Sequence, residues 1–216
     1  MQAQQDTNPR ALIEALRVEL AGRTPVAEAA DGAKPAGVLI PLHFHDGAWH
    51  VILNVRSQHV SQHQGEIAFP GGRLEPEDAD MTACALRETW EEMGIRPEDV
   101  DVLGPMDATL TRTNFLVWPT VGVVPHPYEF RTDAREVAGV LEVPLHTMLN
   151  GDAVLHEARL QPDGTVRRRK AYGHDGHLVF GATAWILGDL LELINKIGMA
   201  TGEQSLATGQ RIEPTD

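Results

Sequence analysis

The spacing of apolar residues predicts a mixture of helices and strands. Apolar positions at helical intervals predict three helices, one following Pro9, one over about 79–93 and one over 181–197. Shorter apolar runs predict strands at 38–40, 51–53, 100–103, 115–124 and 137–143. Asp46-Gly47, between the first two runs, is typical of a two-residue hairpin turn. Because helices and strands do not alternate in strict βαβ order, the pattern predicts an α+β fold.

Three details of this pattern are specific enough to test. Within 79–93, the residues Ala83, Leu86, Trp90 and Met93 lie on one apolar stripe of the predicted helix. Pro119 interrupts the run 115–124 and predicts an edge, bulged or broken strand there. The glycines at 94 and 198 are placed to end the second and third helices.

The chain length favours one main domain with short additions at each end. Its 216 residues suit a single domain, with hydrophobic and charged residues at an ordinary globular 42 % and 23 %. The predicted division is an N-terminal helix and connector (1–35), a main domain (36–198) and a flexible tail (199–216). No apolar run approaches the ~20 residues of a membrane span, and no signal peptide is expected. The single cysteine, Cys84, fits a reducing compartment, so a cytoplasmic location is predicted.

The charge of the chain narrows the partners it can take. There are 31 acidic and 18 basic residues, a formal net charge of −13. Such a surface repels a polyphosphate backbone, which disfavours nucleic-acid binding. An anionic small-molecule substrate would need a local positive charge, and a divalent metal ion is the obvious source.

A cluster of glutamates supplies the ligands for such an ion. On the predicted helix, Glu88, Glu91 and Glu92 stand at i, i+3 and i+4, so their carboxylates are expected on one face. Like charges at these spacings repel by roughly 0.2–0.5 kcal/mol per pair, and hard cations such as Mg²⁺ or Mn²⁺ bind such oxygens. Arg87 lies four residues before Glu91 and can pair with it. The preceding Gly71-Gly72 would let the backbone approach a ligand closely.

These residues resemble the Nudix box, written G-x5-E-x7-R-E-U-x-E-E-x-G-U with U apolar. Here the segment runs from Gly72 through Arg87-Glu88 and Glu91-Glu92 to Gly94-Ile95, with Asp78 in place of the first glutamate, Arg87 one residue late and Thr89 at an apolar position. Those departures resemble the coenzyme A pyrophosphatase-like subgroup. The upstream signature of that subgroup is matched at Arg56, Ser57, Gly65 and Phe69-Pro70-Gly71-Gly72, whereas Ser61 replaces an arginine. The resemblance covers about residues 36–195.

The resemblance implies a Nudix-type α/β/α sandwich whose box helix carries the glutamates, and hydrolysis of a pyrophosphate bond with Mg²⁺ or Mn²⁺. It implies metal ligands at Glu88, Glu91, Glu92 and the Gly72 carbonyl. Glu88 is the first candidate for the general base and Glu136 the second, and Arg87 is expected to orient a glutamate through a bidentate pair. The implied substrate contacts are Arg56, Ser57, Glu66, His63 and Phe69. The implied partner is a small nucleotide-type molecule, coenzyme A or a derivative, and relatives are commonly homodimers.

Two other functions stay open at this point. Hydrolysis of (deoxy)nucleoside triphosphates, ADP-ribose or dinucleotides keeps the chemistry, and Ser61 in place of arginine favours it. A non-catalytic nucleotide-binding regulator is disfavoured by the intact glutamates.

Other residues with reactive or charged side chains receive structural interpretations. His43, His45 and His50 are interpreted as surface histidines rather than a transition-metal site, although His43 and His45 share a strand face. Cys84 is interpreted as a small buried residue, and the basic run 167–170 as an exposed strand.

Overall fold

The computed structural model describes residues 10–27, 31–58, 64–161 and 163–201. The helices are α1 (Arg10–Ala21), α2 (Met81–Met93), α3 (Leu145–Leu149) and α4 (Gly181–Thr201), with a single 3-10 turn at Pro97–Asp99. The strands are β1 (Lys34–His45), β2 (Ala48–Arg56), β3 (Ile67–Ala68), β4 (Gly71–Arg73), β5 (Asp101–Pro105), β6 (Thr109–Leu110), β7 (Phe115–Val123), β8 (Val137–Pro144), β9 (Val154–Leu160), β10 (Val166–His174) and β11 (His177–Val179).

Within these ranges the strands form two sheets. The larger is an eight-stranded mixed sheet in the order β3-β2-β1-β7-β5, to which β4 adds beside β1, β6 beside β7 and β8 beside β2. Its β1–β7 pair is parallel and its other pairs are antiparallel. The smaller sheet, β9-β10-β11, is antiparallel and contacts the larger one through β11 and β3.

Helices cover both faces of the large sheet. Successive strand residues point to opposite faces, so in β1 Leu39 faces α2 while Ile40 faces the side covered by α1, α3 and α4. Both residues are fully buried. This arrangement confirms the predicted α+β class with helices on either side of a mixed sheet.

The β1–β2 hairpin confirms the turn predicted at Asp46-Gly47. His45 pairs with Ala48, and the two turn residues have φ of 49° and 77°, the left-handed conformations that a two-residue hairpin turn requires. This turn sets the hairpin register, which pairs His43 with His50.

The prediction for Pro119 is wrong in its location. β7 is continuous and lies inside the sheet between β1 and β5. The interruption lies beside β7 instead, where β5 ends at Pro105 and β6 begins at Thr109. Between these two strands the Met106 N–H donates to the Pro119 carbonyl. The gap between β5 and β6 therefore accommodates the missing N–H of Pro119.

Helix α2 begins and ends close to the predicted positions, but a different face is buried. The Asp80 side chain accepts from the Ala83 N–H at 2.8 Å, and Gly94 ends the helix with φ of 71°. Trp90 is 56 % exposed, so the predicted apolar stripe is wrong at that residue, whereas Met93 is fully buried and Leu86 packs against the same cluster. The residues buried on this helix are Cys84, Ala85, Thr89, Glu92 and Met93.

Helix α4 continues past Gly198 to Thr201, so the predicted end there is wrong. Leu190, Ile194 and Ile197 keep one face of α4 buried up to that glycine, and this packing outweighs the ~1 kcal/mol cost of a helical glycine.

The N-terminal helix packs on the main core. The side chains of Leu12, Leu16 and Leu20 are buried there, and α1 contacts β5 and α4. β1 already begins at Lys34, two residues before the predicted start of the main domain. The predicted division of the chain stays a prediction, and the predicted tail beyond residue 201 lies outside the described ranges. No described helix is both long enough and apolar enough to cross a membrane.

Candidate active site

The candidate site is built where β4 meets α2. β4 pairs with β1 so that Gly72 lies opposite Gly37, and α2 packs across both strands. A β-carbon on Gly72 would overlap the Glu88 carboxylate. Glycine at this position therefore lets the backbone come into direct contact with a helix carboxylate.

Glu92 is the most enclosed carboxylate of the site. Its side chain is 4 % exposed, and its Oε2 accepts from Asn54 Nδ2 at 2.8 Å and from the Gly71 N–H at 3.2 Å. The Arg56 Nη1 atom lies 3.9 Å from its other oxygen. Burial raises the pKa of Glu92 to about 8, and the charges of Glu88 and Glu136 act in the same direction.

Glu88 lies between Glu92 and Arg87. Burial raises the pKa of Glu88, the charges of Glu91 and Glu136 add to this, and Arg87 opposes it. Four carboxylates therefore influence one another across this part of the molecule. A hard divalent cation suits such an all-oxygen donor set and would favour the ionised forms of Glu88 and Glu92.

Arg87 makes its bidentate pair with Asp78, so the prediction that it grips a glutamate in this way is wrong. Its Nε and Nη2 donate to the two Asp78 oxygens at 2.9 and 3.0 Å, and these bonds lower the pKa of Asp78 to about 2. Nη2 also lies 3.1 Å from Glu88 Oε1, whereas Glu91 is reached only at 3.4 Å. Asp78 thus anchors the guanidinium that in turn contacts Glu88.

Glu91 does not share the enclosed position of the other two glutamates. Its side chain is 57 % exposed, against 17 % for Glu88 and 4 % for Glu92. With about 100° between successive residues of a helix, positions 91 and 92 diverge by that angle, and only 92 turns toward the sheet. The expectation that all three carboxylates point from one face holds for Glu88 and Glu92 alone.

The residues predicted to contact substrate are placed very differently from one another. Arg56 and Glu66 lie at the end of the β2–β3 pair, where the Arg56 N–H donates to the Glu66 carbonyl. Ser57 is buried, and its N–H donates to the Glu136 carbonyl at 2.8 Å, which brings Glu136 to the site. Phe69 is 4 % exposed within the main core, so its ring packs there and the predicted substrate contact is not supported. His63 lies outside the described ranges, as do Ser61 and His59.

Asn54 and Asp78 position side chains of the candidate site, and neither role is predicted from the sequence. Asp78 stands out there only as a departure from the family pattern, yet Asn54 donates to Glu92 and Asp78 accepts from Arg87. The strand period gives a signal for Asn54, which lies two residues before Arg56 on the same face of β2. Nothing in the local sequence shows that Asp78 faces Arg87 across the loop.

Cys84 is fully buried, and burial raises the pKa of its thiol to about 11, as expected of a small packing residue.

The interpretation of His43, His45 and His50 as surface histidines is wrong. His43 and His50 are buried, at 0 % and 7 % exposure, because the hairpin turns that face of the strands toward the interior.

Comparison with known proteins agrees with this arrangement. The NUDIX domain model matches residues 33–162. The Nudix hydrolase NudL of Enterobacter sp. (strain 638) is 36 % identical over 166 residues, covering 77 % of this chain and 84 % of that protein. NudL of Yersinia pestis (strain Pestoides F) is 32 % identical over 160 residues, covering 74 % and 79 %.

Solved structures show the same fold at low identity. A Caenorhabditis elegans Ap4A hydrolase binary complex matches with a TM-score of 0.50 and 14 % identity, covering 77 % of this chain and 98 % of that one. A Nudix hydrolase from Alicyclobacillus acidocaldarius matches with a TM-score of 0.50 and 18 % identity, covering 80 % and 97 %. The chain belongs to the Nudix family. It is a hydrolase of pyrophosphate bonds, and Nudix hydrolases generally use divalent metals.

Proposed function

We propose that this Nudix hydrolase binds Mg²⁺ or Mn²⁺ through Glu88 and Glu92, and cleaves the pyrophosphate bond of coenzyme A or a derivative. The observation that carries the proposal is the pair of enclosed carboxylates with raised pKa, lying beside Gly71 and Gly72. The exposed Glu91 and the Gly72 carbonyl complete the proposed oxygen ligands.

Electrostatics explain why a metal fits this position. A pyrophosphate carries two or three negative charges, and the carboxylates of the site would repel it. A bound divalent cation supplies positive charge to the phosphoryl oxygens and lowers the pKa of a bound water molecule. The protein contributes the enclosed geometry, in which Asn54 and the Gly71 N–H orient Glu92, while Arg87 orients Glu88.

Two carboxylates are candidates for accepting the proton of the attacking water. Glu88 remains the first, because its carboxylate lies beside the proposed metal position and Arg87 Nη2, 3.1 Å away, fixes its orientation. Glu136 is the second, since its exposed position leaves it accessible to solvent and its charge acts on both Glu88 and Glu92. A Glu136→Gln variant that keeps metal binding but loses turnover would assign the base to Glu136.

The choice of coenzyme A rests on the upstream signature and on the position of positive charge. Arg56 lies at the end of β2 next to Glu92, where its guanidinium can bind a substrate phosphate.

A substrate panel tests the proposal. Coenzyme A, dephospho-coenzyme A, ADP-ribose, NADH and nucleoside triphosphates are incubated with the full chain and Mg²⁺ or Mn²⁺, and products are separated by chromatography. We expect coenzyme A to give adenosine 3′,5′-bisphosphate and 4′-phosphopantetheine. Preferred cleavage of ADP-ribose or triphosphates would overturn the substrate assignment. If none of the compounds is cleaved, the proposed hydrolase activity itself is overturned.

A pair of variants separates metal binding from general damage. Glu92→Gln removes the enclosed carboxylate while keeping an oxygen that can accept from Asn54 and Gly71. Glu129→Gln, a change at an exposed glutamate that pairs with Arg131, is the matched control and should retain full turnover.

A further inference from the structure

A second group of metal-ligating side chains lies at the other end of β2. One potential ligand atom each from His43, His45 and His50 lies within 4.8 Å of the other two. His50 lies four residues before Asn54 on β2. At a rise of about 3.4 Å per residue, the two positions are about 14 Å apart, so the histidines are separate from the glutamate site.

The hydrogen bonds of two of these rings direct their other nitrogen inward. His50 Nδ1 lies 3.2 Å from the Ala48 carbonyl, which can only accept, and His45 Nδ1 lies 3.1 Å from the Asp46 carboxylate. Each Nδ1 therefore carries the hydrogen, and each Nε2 keeps a lone pair. Metal-binding histidines are typically oriented by this kind of outer contact.

His43 supplies an independent observation. It is fully buried, and neither of its nitrogens has a hydrogen-bond partner anywhere in the described part of the chain. The same holds for His45 Nε2. Leaving such groups unsatisfied costs about 1–3 kcal/mol each, and a metal ion would satisfy them.

A carboxylate lies against the same nitrogens. Glu142 Oε2 is 3.0 Å from His43 Nε2 and 3.3 Å from His45 Nε2, without the angles of a hydrogen bond. Strand β8 brings it there, because Glu142 pairs with Ile52, one position along the same face from His50. Three imidazoles and one carboxylate are a complete tetrahedral ligand set for Zn²⁺.

From this geometry we propose that His43, His45, His50 and Glu142 form a structural Zn²⁺ site that ties the β1–β2 hairpin to β8. Four protein ligands leave no open position, which is the pattern of a structural rather than a catalytic site. Nitrogen atoms bound to Zn²⁺ at about 2.1 Å lie about 3.4 Å apart. The His45 and His50 rings stack at 3.8 Å with 16° between their planes, so one of the two rings has to rotate on binding for both nitrogen lone pairs to meet at one ion. The proposed zinc site depends neither on Glu88 and Glu92 nor on the proposed substrate.

Burial also keeps these rings in the form that binds metal. It lowers the pKa of His43 to about 3 and of His50 to about 4, with the neighbouring histidines acting in the same direction. The exposed ring of His126 stacks on His45 at 4.5 Å and covers the cluster from the solvent side.

Zinc titration of the untagged full chain, stripped of metal and held in millimolar Mg²⁺, tests the proposal. Calorimetry should show one Zn²⁺ per chain, and Co²⁺ should give the intense visible absorption of a tetrahedral complex. His45→Ala and Glu142→Gln act at partly exposed positions and should weaken binding by about 100-fold and about 10-fold. His156→Ala, an exposed histidine on β9, is the matched control and should bind as the parent does.

Several outcomes would overturn the site. These are no Zn²⁺ binding by the parent chain, binding unchanged in His45→Ala, or the weak absorption of octahedral Co²⁺. Binding lost in Glu92→Gln but kept in His45→Ala would place the zinc at the glutamates instead. Pyrophosphate hydrolysis by His45→Ala reports separately on the proposed function.

Discussion

Two groups of side chains that we propose as metal ligands lie against one face of β2, and different forces hold them in place. Near Asn54 and Arg56 the proposed ligands are the carboxylates of Glu88 and Glu92, whose pKa values are raised by burial and which lie beside Arg87 and Arg56. Near His50 the ligands are rings that burial keeps neutral, with a single carboxylate beside them. The first group suits a hard cation and an anionic substrate, whereas the second suits a borderline metal in a closed site.

The largest expected effect is a loss of turnover when the glutamate group is changed, but not when the histidine group is changed. Glu92→Gln should lower turnover by about 100-fold or more, because it removes an enclosed charge from the metal site. His45→Ala should leave turnover unchanged, since it lies at the opposite end of the strand. Steady-state kinetics on the preferred substrate check both, with circular dichroism to confirm folding. Equal losses in the two variants would contradict the separation.

A smaller effect concerns the arginine that holds Glu88. Arg87→Lys keeps the charge but loses the fork that grips both Asp78 oxygens, so turnover should fall by about 10-fold. The free energy of unfolding should fall by about 1–2 kcal/mol. Kinetics and urea unfolding measure these quantities. Arg131→Lys, at an exposed arginine, should change neither, and an unaltered Arg87→Lys enzyme would show that the fork is dispensable.

The histidines should make stability depend on pH in the metal-free protein. Their pKa values of about 3 and 4 lie below the ordinary 6.5, so the unfolded chain takes up protons first as the pH falls. Their contribution is complete above pH 6.5 and declines below it, by up to about 1.4 kcal/mol per pH unit for each histidine. Urea unfolding between pH 7 and 5 measures the slope, and His50→Gln should flatten it. A parent profile as flat as that of the variant would contradict the burial argument.

The smallest effect tests whether the two sites communicate. Ile52 is fully buried on the same face of β2, between His50 and Asn54. Ile52→Val should lower the free energy of unfolding by about 0.5–1.5 kcal/mol through the lost methylene. Turnover and zinc affinity should both stay within about two-fold of the parent, because the ligands themselves are unchanged. A joint change in both would show that the strand couples them.

The clustering of Glu88 and Glu92 could be predicted because the two residues are neighbours in sequence. Glu88, Glu91 and Glu92 lie within five residues on one helix, and the end of that helix follows from Gly94. The strand positions and the hairpin turn followed from equally local patterns. Which face of α2 is buried did not follow, because the sheet decides that Glu92 rather than Trp90 turns inward.

The histidine cluster shows what local patterns do not contain. Its ligands come from β1, β2 and β8, and Glu142 lies 92 positions after His50 in the sequence. Each histidine taken alone is an ordinary residue of a β-hairpin. Their convergence appears only when hairpin register and the β2–β8 pairing are both known. The Arg87–Asp78 pair is a shorter example, since it depends on how the loop before α2 folds back.

We propose that Glu88 and Glu92 hold the divalent metal used in hydrolysis, and electron paramagnetic resonance of added Mn²⁺ can measure this binding, because bound and free Mn²⁺ give different signals. We expect Mn²⁺ binding by the parent chain to be retained in Glu129→Gln and in His45→Ala but lost in the Glu88→Gln/Glu92→Gln double variant. Undiminished Mn²⁺ binding by a correctly folded double variant would show that these two carboxylates do not hold the metal.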